Sequence, residues 1–114
     1  MIRVAAVALV LAAGAKTPHD AVYRFIANKS PADACAQLSP AYKAAIAKQY
    51  GPCLAGMQIQ PKATHIRTSR ERIAGSKATV DAAYDANSRH WKERYTLVRT
   101  KTRIWLITGS KQLP

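Results

Sequence analysis

Between Thr17 and Gly51 apolar residues recur every three or four positions, whereas from Lys62 onward they alternate one by one. That change of period predicts helices first and strands afterwards. Three helices are expected, because a Thr-Pro or Ser-Pro pair opens each of them. The stretch "TPHDAVYRFIANKS" offers Thr17 as N-cap, Pro18 at the first helical position and Asp20 near the positive end of the dipole. Val22, Phe25 and Ile26 share one side there, while Arg24 and Lys29 fall elsewhere. "SPADACAQL" repeats the device from Ser30 and Pro31, and points Cys35 and Leu38 one way. "SPAYKAAIAKQYG" repeats it from Ser39 and Pro40, with a stripe of Tyr42, Ala45, Ile46 and Gln49 and a stop at Gly51. "LAGMQIQP" is expected to be an irregular connector.

Four strands follow. "ATHIRTSRERIA" puts Ile66 on one face and Ile73 on the other, an odd register that predicts a bulge or bend. Gly75-Ser76 is a tight turn. "KATVDAAYDA" sets Ala78, Val80, Ala82 and Tyr84 against Thr79, Asp81, Ala83 and Asp85. "HWKERYTLVRT" sets Trp91, Glu93, Tyr95 and Leu97 against Lys92, Arg94, Thr96 and Val98, and "RIWLITGS" closes the series. Turns this short require antiparallel neighbours. The expected fold is α+β, with three N-terminal helices packed on a curved four-stranded antiparallel sheet.

The opening "MIRVAAVALVLAAGAK" changes the picture of the whole chain. A basic start ending at Arg3, an apolar run from Val4 to Ala13 and small residues around Gly14 form the pattern of a secretory leader. Residues 1–15 are therefore expected as a signal peptide and residues 16–114 as a single domain, secreted or held at the cell envelope. A retained anchor is the weaker reading, because the run is far shorter than the ~20 residues a spanning helix needs. The two cysteines fit that setting. In an oxidising compartment a small core gains from a crosslink, so Cys35 and Cys53 are expected to form a disulfide. No CxxC occurs, and His19, His65 and His90 are scattered, so no metal site is expected.

The order of elements, with "DACAQLSP", a further helix and a second Cys, then "RIAGSKATVDAAY" and "YTLVRTKTRIWLITG", resembles the nuclear-transport-factor-two-like (cystatin-like cone) superfamily. It looks most like the small exported bacterial members, over essentially all of residues 17–110. The resemblance implies a cone whose mouth can hold a small ligand, and dimers through the open sheet. It implies no single function, because such cones include isomerases, cyclases, protein-binding scaffolds and parts of secretion machines.

A catalytic cone would need a carboxylate base facing a Tyr or acid donor. Asp81 and Asp85 are the strand carboxylates considered, with Tyr84, Tyr95, His65 or His90 as partners, and strand parity places both aspartates opposite Tyr84. No catalytic residue and no cofactor is therefore assigned. His65, Tyr84 and Tyr95 are kept as candidate pocket residues, with Tyr95 and Trp105 expected chiefly as core.

Charge is the most unusual feature: 18 Lys and Arg against 6 Asp and Glu, a formal +12. Arg70, Arg72, Lys92, Arg94, Arg99, Lys101 and Arg103 are candidates for binding an anionic surface. Nucleic acid is disfavoured, because Trp91 and Tyr95 alternate with Lys92 and Arg94 on the opposite face. The function expected is an exported, non-enzymatic accessory or binding module. Its basic sheet would meet an anionic envelope surface or an acidic protein partner. The alternative is a small-molecule-binding or isomerase-like cone with an open, polar cavity.

Overall fold

In the computed structural model, residues 14–114 are described; the apolar run of the expected leader lies outside them. Four helices precede four strands: α1 Pro18–Ala27, α2 Pro31–Ala36, α3 Pro40–Tyr50 and α4 Cys53–Ile59, then β1 Thr64–Ala74, β2 Lys77–Ala86, β3 Arg89–Arg99 and β4 Trp105–Gln112. The strands form one antiparallel sheet in the order β1-β2-β3-β4, and the sheet does not close. The architecture is α+β, as the change of period predicts.

Each of the first three helices starts on its hydroxyl. Thr17, Ser30 and Ser39 accept from the backbone N–H of Asp20, Asp33 and Tyr42 at 3.2, 3.1 and 3.2 Å. Each cap contributes about 1 kcal/mol. α1 is the principal packing helix, burying Ala21, Val22 and Ile26 against Val80, Tyr95, Leu97 and Ile107 of the sheet. Tyr95 and Trp105 are core residues, 2% and 3% exposed. After α2 the chain runs beside β4, where Ile107 N–H donates to the Gln37 carbonyl at 2.7 Å and Ser39 N–H to the Ile107 carbonyl at 2.8 Å. Among the described residues no helix is long and apolar enough to cross a membrane.

Three features differ from, or sharpen, the sequence reading. The stretch taken as a connector is α4; it lacks a side-chain cap and carries no charge in either end turn, so none of the usual start signals marks it. The odd register of β1 is resolved by irregularities between Thr64 and Arg67 and between Ser69 and Arg72, with His65 and Arg70 at φ of 54° and 51°. The second of these lets Ile73 stand opposite Ala78 although Thr68 already stands opposite Ala82. Finally, the stripe expected on α3 is narrower: Tyr42 and Ile46 pack against the core, and no residue of α3 is buried.

Cys35 and Cys53 form a disulfide with Cα atoms 6.0 Å apart. It joins α2 to the first residue of α4. With a sequence separation of 18, the chain-entropy model gives a contribution of roughly 3 kcal/mol. Reduction is therefore expected to lower the thermal midpoint by roughly 10–15 °C, read by differential scanning fluorimetry with and without reductant. An unchanged midpoint would contradict a stabilising bridge.

Candidate functional site

The helices cover the sheet unevenly. α1 lies on it, whereas α3 and α4 stand off its far half, where a cleft of about 700 Å³ opens. Phe25, Ile26, Tyr42 and Ile46 supply apolar wall on the helix side; Tyr84, Trp91, Glu93 and Ser110 line the sheet side. Trp91 is fixed by its indole N–H, which donates to the Ala86 carbonyl at 3.1 Å, and by Arg89, whose guanidinium lies 5.5 Å from the ring centroid.

Glu93 is the one carboxylate that lines this cleft. It lies on the inner face because β3 alternates, and Trp91, Glu93, Tyr95 and Leu97 share a side. The hydroxyls of Tyr84 and Tyr95 both donate to its Oε1, at 2.8 and 2.6 Å. Burial pushes both phenols well above the ordinary tyrosine range, and the facing Glu93 carboxylate adds to the shift. Tyr95 is further held edge-on by Phe25, with ring centroids 6.2 Å apart. Glu93 Oε2 takes no hydrogen bond from the described residues. In the same wall Asn28 donates from Nδ2 to the Met57 carbonyl at 2.7 Å, while its buried Oδ1 finds no partner among the described residues.

Of the candidate pocket residues, Tyr84 lines the cleft and Tyr95 lies beneath Glu93. His65 does not reach it. The positive φ at the first irregularity of β1 turns it outward, with 79% of its side chain exposed and Nδ1 3.2 Å from Asp85 Oδ2. His90 meets the other oxygen of Asp85. Asp81 and Asp85 lie away from Tyr84, as parity requires. The inner carboxylate is Glu93, which the sequence reading did not single out although the same parity places it beside Tyr95.

The candidate surface cations fall into two groups. Arg94 stands opposite Asp81 on the uncovered face and binds it through Nε and Nη2 at 2.7 and 3.1 Å. That bond, with Arg70 and Arg72 nearby, holds the Asp81 carboxyl below its usual range. Lys92 is exposed on the same face. Arg99, Lys101 and Arg103 lie elsewhere, at the β3–β4 turn, with Arg99 5.8 Å from the Trp105 ring centroid.

Compared with known proteins, the chain matches no family model, no curated protein and no solved structure.

A raised phenol pKa means that the folded state holds its proton more tightly than the unfolded chain does. That stability is present below the unfolded value of about 10 and is lost as pH rises beyond it. Of the five tyrosines, Tyr84 and Tyr95 are thus expected to stay silent in an ultraviolet titration until alkaline unfolding. Five phenols titrating together in the ordinary range would contradict the buried clasp on Glu93.

Proposed function

We propose that the protein is a non-enzymatic binding module whose cleft takes a small, largely apolar molecule carrying a hydrogen-bond donor, an amine or a hydroxyl. The observation that carries this reading is the Glu93 carboxylate, held at the cleft's inner face by two tyrosine hydroxyls with Oε2 still open. The walls are apolar and aromatic, and a few placed polar groups fix orientation, which is the usual make-up of a small-molecule site. The orphan acceptor of Asn28 favours the same ligand chemistry. A ligand carboxylate would face Glu93 as a like charge.

Binding is favoured over proton abstraction by where the donors are. An isomerase-like cone needs a free acid or phenol opposite its base. Here the hydroxyls of Tyr84 and Tyr95 are engaged by the carboxylate itself, that of Tyr42 lies 3.1 Å from Ser110 Oγ, and Tyr50, the remaining cleft tyrosine, is 73% exposed to solvent. This is the ligand-holding version of the cone that the nuclear-transport-factor-two-like resemblance implies. The disulfide and the leader-like N-terminus support an extracytoplasmic setting.

Titration with short alkyl and aryl amines, the matching alcohols and the matching carboxylates tests the reading, with Trp91 fluorescence as readout. Amines and alcohols are expected to bind and carboxylates not to. Glu93→Gln keeps an acceptor for both tyrosines, and is expected to weaken the amines roughly tenfold or more, as loss of a charged hydrogen bond implies. Carboxylates binding as well as amines, or no response from any member, would overturn it.

A further inference from the structure

The two β-turns that join β1 to β2 and β3 to β4 lie at one end of the sheet, where the Arg99 N–H donates to the Ser76 carbonyl at 2.8 Å. The cleft lies toward the opposite end, since Tyr84, Trp91, Glu93 and Ser110 all come from the far halves of their strands. At the turn end Lys16, Lys77, Arg99, Lys101 and Arg103 are exposed, and none of them makes an ion pair among the described residues. Glu71 of β1 is occupied by His19, whose backbone N and Nδ1 both lie 3.0 Å from its Oε1. Among these cations Ile73 protrudes, 54% exposed.

The N-terminal segment arrives at the same place. The Ala15 carbonyl accepts from Trp105 N–H at 3.0 Å, and a Cβ on Gly14 would lie 2.6 Å from Ile104 Cγ2.

We propose that this turn end is a docking surface for a bilayer containing anionic phospholipid, so that the domain rests with its cleft directed away from the membrane. Unpaired cations attract the headgroup phosphates, and the protruding Ile73 can enter the interface among them. A second copy of the chain is a poor occupant, because it would bring like charges together. Single-stranded nucleic acid would need exposed rings to stack on, and Trp105 here lies 3% exposed with Arg99 over it.

The test is co-sedimentation of the full chain with vesicles of phosphatidylglycerol and phosphatidylcholine, against phosphatidylcholine alone. Two triple variants with equal charge change are compared: Lys77→Glu, Lys101→Glu, Arg103→Glu at the turns, and Arg67→Glu, Lys92→Glu, Lys111→Glu on the sheet face. The turn variant is expected to lose retention on anionic vesicles roughly a hundredfold, and the face variant much less. Ile73→Ser is expected to lower it several-fold. Equal losses in both triple variants would mean diffuse charge attraction, and equal retention on neutral vesicles would mean binding that does not depend on headgroup charge; either overturns the proposal. So does release of the protein by a short single-stranded oligonucleotide whose own binding is lost only in the turn variant. Failure here would leave the cleft reading untouched, since the two experiments share no residue.

Discussion

Neither α3 nor α4 buries a side chain, yet together they make one wall of the cleft. Apolar burial there is limited to Tyr42, Ile46 and Cys53, which pack partly against the core. A few point attachments add to it. The Cys35–Cys53 bridge ties α4 to the buried end of α2, and the Asn28 amide reaches the Met57 carbonyl. Ser39 anchors the start of α3 to β4 through the Ile107 carbonyl. Because these tethers act near helix ends, the helices stand off the far half of the sheet instead of collapsing onto it. A cleft is what that constraint leaves behind. The covalent bridge thus contributes to site geometry as well as to stability, and the cleft depends on it more than the α1 core does.

Inside that space the electrostatics run against the rest of the molecule. A chain of formal +12 places a carboxylate at its cleft and holds it there with two phenols. Long-range repulsion of a cationic ligand is screened within about 8 Å at physiological salt. A hydrogen bond to Glu93 acts at contact and in a partly dry environment, where it is stronger. In the roles proposed above, the local acceptor would set what the cleft selects and the cations where the domain goes. Acceptor and unpaired turn cations lie toward different ends of the same strands.

Much of this architecture is legible in the residue pattern because period and punctuation agree. Hydroxyl-Pro pairs mark three helix starts, short turns demand antiparallel strands, and alternation in β2 and β3 assigns faces correctly. α4 escapes because it has only a Pro at its N-cap, Gly56 within it and no charged end turns, so none of the signals that mark a helix is there to be read. Glu93 escapes for a different reason. Carboxylates on strands are mostly solvated, so alternation alone does not separate Glu93 from a surface acid. Its neighbours on the same face, Tyr95 at 2% and Leu97 at 1% exposure, are what mark it as an inward group. Burial of a face is a tertiary fact that alternation alone does not supply. His65 is the converse case, an aromatic whose position depends on a local irregularity that parity counting steps over.

The uncovered face of the sheet bears on how such domains meet one another. In the resembling cones, dimers form through the open sheet. Here that face carries Arg67, Arg72, Lys92, Arg94 and Lys111 around Asp81, and Asp81 is already bound by Arg94. Pairing two such faces would oppose several uncompensated cations on each side, and like charges directly opposed across a desolvated interface cost several kcal/mol. The other side chains there are short or half-buried, Thr79, Thr96, Thr108, Val98 and Leu106, with Thr96 and Thr108 hydrogen-bonded to each other at 3.2 Å. Such a face lacks the aromatic anchors that concentrate binding energy in stable interfaces. Its composition fits a surface kept in water.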